Sequence, residues 1–104
     1  MEKYRKILVI QEGHDFSALN QYTGEVVFIT DGSESVREAA EKIDKALEDF
    51  DPTQDALVPV GKTTSVLFMG MQLGRRFQQT SVYIGLHRTR MIPEREYQWI
   101  STNL

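Results

Sequence analysis

The 104-residue chain contains no cysteine, which excludes disulfides, thiolate metal sites and a thiol nucleophile and suits a reducing, intracellular setting. Only two histidines are present, His14 and His87, so the imidazole-rich ligand set of a typical metal hydrolase is missing. Long apolar runs are missing too. The first one, residues 7–10, is too short for the core of a signal peptide or for a membrane span, so a soluble cytoplasmic chain is expected. No serine sits in a Gly-x-Ser-x-Gly frame, and no internal repeat, linker or low-complexity segment interrupts the sequence. A single domain over 1–104 with one modest core is expected, with no cofactor.

Charge is unevenly placed. Residues 1–59 carry six Lys/Arg against thirteen Asp/Glu, whereas residues 60–104 carry six against two. The overall net charge of -3 argues against a broad basic surface for duplex DNA. A local positive pocket built by the second half would still suit a nucleotide or another phosphorylated small molecule.

Residues 7–10 (ILVI) and 26–29 (VVFI) are short continuous apolar runs rich in β-branched side chains, which predicts strands covered on both faces. The segment between them is about the minimum length for a parallel crossover, so the direction of the second strand stays open. The clearest helix follows, with Val36, Ala39, Ala40, Ile43, Ala46, Leu47 and Phe50 on one stripe. Ser35 and Glu38 have capping-box spacing, Ser33 competes as the cap, and Asp51-Pro52 ends the helix. A third strand over 56–60 contains Pro59, which fits a strand end, a bulge or an edge. It leads into a second helix whose apolar pattern runs from Val66, with Thr63, Thr64 or Ser65 able to cap it, followed by strands near 82–86 and 97–100 joined by a polar turn at Ile92-Pro93. Strands alternating with helices predict an α/β fold: one layered domain with an approximately five-stranded mixed sheet and two main helices.

The turn from the third strand into the second helix carries Gly61, Lys62, Thr63, Thr64 and Ser65. A helix begins with amide groups that lack intrahelical partners, so an anion can dock there while Lys62 supplies charge. A complete phosphate-binding P-loop is excluded, because the position that requires its first glycine is Ala56. In an open α/β sheet, ligands gather beyond the carboxyl ends of the parallel strands. That rule groups Gln11, Glu12, Gly13, His14 and Asp15 with residues 61–65 and with His87, Arg88 and Arg90. Each of these also reads as ordinary turn, cap or solvated loop chemistry. His14-Asp15 alone raises a metal-dependent phosphohydrolase as a third reading.

On the second helix, about 100° per residue puts Val66, Gly70, Leu73 and Phe77 on one face with Leu67 and Gly74 beside them. Gly70 and Gly74 then mark close packing. Phe68 falls opposite, among Gln72, Arg75 and Gln79, and needs a cover. Phe68, Met71 and Arg75 are therefore expected to line a partner surface or a contact between copies of the chain.

Two stretches resemble known proteins. Residues 15–30 (DFSALNQYTGEVVFIT), the helix after them, residues 50–52 (FDP) and residues 55–61 (DALVPVG) look like a group of small bacteriophage proteins of unassigned function. Residues 58–75 (VPVGKTTSVLFMGMQLGR), with residues 82–84 (VYI) and Tyr97, are similar to the closing segment of SAVED and related CARF Rossmann-like sensor domains. Those domains bind cyclic or linear oligonucleotide second messengers. The resemblance implies that residues 61–65 contact ligand phosphate or base and that Leu73-Gly74-Arg75 closes the helix. The leading expectation is a small phage-derived protein that self-associates and acts through contact rather than catalysis, with nucleotide binding as the alternative.

Overall fold

The computed structural model describes residues 3–14, 16–77, 82–87 and 97–101. The elements run β1 (Lys3–Gln11), a 3-10 helix (Ser17–Gln21), β2 (Thr23–Thr30), α1 (Val36–Leu47), β3 (Ala56–Val58), α2 (Thr63–Arg76), β4 (Tyr83–His87) and β5 (Tyr97–Ser101). The protein is α/β: β1 to β4 form a parallel sheet, with two α-helices. The sheet order is β2-β1-β3-β4-β5, with β5 antiparallel to β4. The turn expected at Ile92-Pro93 lies outside the described residues.

The strand order fixes which face each connection covers. From β2 to β3 and from β3 to β4 the chain moves the same way across the sheet, and right-handed crossovers put α1 and α2 together on one face. From β1 to β2 it moves the opposite way, so the 3-10 helix covers the other face. The two halves of the core follow this division. Leu8, Ile10 and Leu57 meet Ile43, Leu47 and Met69 under the helices, while Ile7, Val9 and Val58 meet Leu19 on the opposite side. β1 and β3, sandwiched at the centre, are buried on both faces, which is why they read as unbroken apolar runs. Pro59 lies just beyond the end of β3, where its missing donor removes no ladder bond.

α1 forms as its sequence dictates. The Ser35 hydroxyl accepts from the Glu38 amide at 3.2 Å, and Ala39, Ile43 and Leu47 are buried. The stripe departs from expectation only at its start, where Val36 is about two-thirds exposed. No helix among the described residues is long and apolar enough to cross a membrane.

α2 keeps part of the face its sequence suggested, since Val66, Leu73 and Phe77 pack against the core, but the helix is rotated toward Ser65 and Met69. Ser65 and Met69 are its buried residues, and Phe68 is half-buried against the core instead of lying opposite it. Leu67, expected beside the buried face, is about two-thirds exposed. The close-packing role expected of Gly70 and Gly74 is corrected by the same rotation. Both glycines are exposed, and a Cβ added at either would meet nothing within 4 Å. Since glycine in a helix interior costs about 0.8–1 kcal/mol relative to alanine, Gly70→Ala and Gly74→Ala are each expected to stabilise the fold by roughly that amount. Equilibrium unfolding in urea checks this, and destabilisation by either change would contradict the exposed placement.

Candidate functional site

Because β1 to β4 are parallel, their carboxyl ends share one pole, and the chain direction reverses between β1 and β3 there. A crevice is expected at that switch point. One backbone hydrogen bond spans it instead, and two further hydrogen bonds tie the end of β2 to β1 beside it. The Gln11 amide donates to the Val60 carbonyl at 2.9 Å, the Glu12 amide to the Thr30 carbonyl at 3.0 Å, and the Thr30 hydroxyl to the Ile10 carbonyl at 2.6 Å.

The Gln11 side chain occupies the crevice. Its Oε1 accepts from the Lys62 amide at 3.3 Å, the residue that caps α2. Gly61 has to be small at this point, since a Cβ there would stand 3.0 Å from Ile10 Cγ2 and 3.2 Å from Gln11 Cβ. The opening of the helix is therefore partly closed by the protein's own amide group. Lys62, Thr63 and Thr64 remain exposed, while Ser65 is buried. Gln11 had been grouped with this pole by strand position, but no local pattern could say that its side chain turns to the 61–62 loop.

The loop after β2 is closed in the same manner. Glu34 is buried, and its carboxylate accepts from the Asp31 and Gly32 amides, both at 3.0 Å, and from Lys42 Nζ at 2.8 Å. Two amides that could have held an external anion are thus satisfied by an internal one. The Lys42 hydrogen bond, helped by the amides of Asp31 and Gly32, outweighs burial and pulls the Glu34 carboxyl down to about 2 from its usual 4.5. A carboxyl depressed on folding stabilises the folded state fully above the unfolded value, and this contribution fades as pH falls through the folded one. The melting-temperature gap between wild type and Glu34→Gln is therefore expected to be full near neutrality and to shrink between pH 4.5 and about 2. A gap constant over that range, measured by thermal melts, would contradict it.

Of the remaining predicted ligand residues, only His14 has a described side chain. His14 is exposed, and its ring meets Phe16 edge-on at 5.9 Å, on the side of the sheet covered by the 3-10 helix. The backbone of His87 ends β4 at the same pole, paired with Tyr97. Asp15, Arg88 and Arg90 lie outside the described residues. Among the described residues, no group of three or more His, Asp or Glu could hold a metal ion.

What the fold does bring together is an apolar groove between α1 and α2. It has a volume of about 200 Å³ and is lined by Val36, Ala40, Thr64, Ser65, Phe68 and Met71, with Leu67 on its margin. Two residues expected to bind ligand, Thr64 and Ser65, thus share one groove with two expected at an interface, Phe68 and Met71. Arg75 lies further along α2, exposed, donating to Gln72 Oε1 at 2.7 Å. Val36, Leu67 and Met71 are each about two-thirds exposed, a cost in wet apolar surface that a bound partner would relieve. Sequence reading missed Val36 and Leu67 because it assigned both to buried stripes. Neither a family model, nor a curated protein, nor a solved structure matches this chain.

Proposed function

We propose that this chain is a small binding or interaction protein without catalytic chemistry of its own, and that it self-associates through the outer face of its two helices. The observation that carries this is the apolar groove between α1 and α2, flanked by the exposed side chains of Val36, Leu67 and Met71. A second copy is the occupant that the charges favour. Residues 62–77, spanning α2, include Lys62, Arg75 and Arg76 and no acidic residue, whereas residues 34–49, spanning α1, hold six acidic and three basic ones. A two-fold axis through the groove sets α1 of one copy against α2 of its partner, so opposite charges meet around an apolar centre. The resemblance of residues 15–30, 50–52 and 55–61 to small bacteriophage proteins adds a phage origin.

Leu67→Glu/Met71→Glu tests this reading, since both side chains are exposed and their replacement leaves the core intact. Sedimentation equilibrium is expected to show at least a halving of mass, with an unchanged circular dichroism spectrum. The same mass for variant and wild type at every concentration overturns it.

A second reading, binding of a nucleotide or cyclic oligonucleotide at residues 61–65, draws on one observation. The amino end of α2 has no side-chain cap and no acidic residue in its first turn, and Lys62, Thr63 and Thr64 are exposed there. A cyclic oligonucleotide at a hundredfold excess over its dissociation constant would add about 2.7 kcal/mol to wild type, and Lys62→Ala would reduce that gain. The absence of any thermal shift removes this reading and leaves the helix-face proposal untouched.

A further inference from the structure

Among the described residues, β2 lies at the edge of the sheet, paired to β1 on one side only. An edge strand offers a row of unpaired amides and carbonyls, and proteins blunt such edges with lysine, proline, short length or an inward charge. β2 has none of the first three: it is eight residues long (TGEVVFIT), with Glu25 as its single charge. From Lys6↔Glu25 to Gln11↔Thr30 its register against β1 runs without a bulge. On the sheet face away from the helices, Val26 and Phe28 are 37% and 42% exposed, with Phe16 ring-packed on Phe28 at 5.5 Å.

We infer that β2 is a strand-pairing surface for a second copy of this chain, joined antiparallel across a two-fold axis at Val27. In such a pair, directly opposed residues share a face, and the two-fold makes every contact reciprocal. With the axis at Val27, Val26 of each copy lies opposite the partner's Phe28, and Glu25 opposite the partner's Ile29. Moving the axis to Val26 leaves Phe28 opposite the partner's Gly24, and moving it to Phe28 leaves Val26 opposite the partner's Thr30. Only the register at Val27 sets both half-exposed apolar side chains against apolar ones while keeping the two Glu25 carboxylates apart. The edge is therefore self-complementary in hydrogen bonding, apolar surface and charge. This contact is separate from the groove between α1 and α2, so a chain using both has two different two-fold axes and builds assemblies larger than a dimer.

The experiment is sedimentation equilibrium combined with amide hydrogen exchange on the full chain. The Leu67→Glu/Met71→Glu protein, whose helix face is blocked, is expected to remain a dimer in which the outward-facing β2 amides become protected as concentration rises. Adding Val26→Lys is expected to halve the mass and abolish that protection. Val26 is used because Phe28→Lys would also break the ring contact with Phe16; the Val26/Phe28 double lysine variant serves as a second check. A monomeric Leu67→Glu/Met71→Glu protein, β2 exchange independent of concentration, or a dimer that survives Val26→Lys overturns the inference. Equal masses for wild type and the Leu67→Glu/Met71→Glu protein, with the β2 protection intact, would instead sink the helix-face proposal alone.

Discussion

Asp55→Ala is expected to remove about 3 kcal/mol of folding stability, near the lower end of the range for breaking a buried ion pair. Asp55 is completely buried at the amino end of β3. Its carboxylate accepts from Arg5 Nε at 3.0 Å, Arg5 Nη2 at 2.6 Å, the Lys6 amide at 3.1 Å and the Asp51 amide at 2.8 Å. It thereby ties β1 to the loop that delivers the chain from α1 into β3. The loss falls near the lower end because the Arg5 side chain is 38% exposed and can rehydrate once its partner is gone, whereas the two amides lose their acceptor. The strength of the pairing is visible from the other side, since Asp55 holds the Arg5 guanidinium above its ordinary range. Urea unfolding measures the effect, and a loss within experimental error would mean that this carboxylate is not an anchor of the fold. Against a typical domain stability of about 5–15 kcal/mol, the expected loss is a large share.

Met69→Ala is expected to cost about 2–4 kcal/mol, and Met71→Ala less than about 0.5 kcal/mol, although the two residues are neighbours in one helix. Met69 is 1% exposed in the core formed with Ile43, Leu47 and Leu57, and removing its side chain leaves a void that close-packed surroundings cannot refill. Met71 lies two residues on, facing the groove and mostly wet. The pair therefore measures the rotation of α2 directly. Equal losses at the two sites would mean that the helix presents a different face to the sheet. Since Met71 contributes little to the fold, its replacement by glutamate reports on association alone.

The features legible in the sequence are those set within a few residues. α1 is readable because its apolar stripe and its Ser35 cap are both local and point the same way. The strands around residues 7–10, 26–29 and 56–58 stand out because they are short and apolar, but 26–29, expected to be covered on both faces, lies at the sheet edge with Val26 and Phe28 exposed, because the cover of β2 depends on distant segments. α2 was harder. Its apolar residues nearly encircle the helix, so the face expected from helical spacing holds at Val66, Leu73 and Phe77, which pack on the core, and departs at Phe68, which also packs inward, and at Gly70, which is exposed. Residues 65, 69 and 73, each four apart, carry the same spacing and prove to be the inward line.

The candidate site divides in the same way. That a turn at residues 61–65 joins a strand to a helix is a local fact, and it was readable. That Gln11 fills the crevice beside it is not, because fifty-one positions separate Gln11 from Lys62. Glu34 likewise closes its loop through Lys42, a partner eight residues away across the start of a helix. By itself, the sequence determined an α/β alternation, the order of the elements and the cap of α1, because each depends on periodicity or chemistry within one or two helical turns. Only the tertiary structure decided that β2 runs parallel to β1, that Asp55 anchors Arg5, that Met69 faces inward while Met71 faces out, and that Gln11 partly closes the switch point. Those outcomes rest on contacts between segments far apart in the chain, where the same local pattern is compatible with more than one packing.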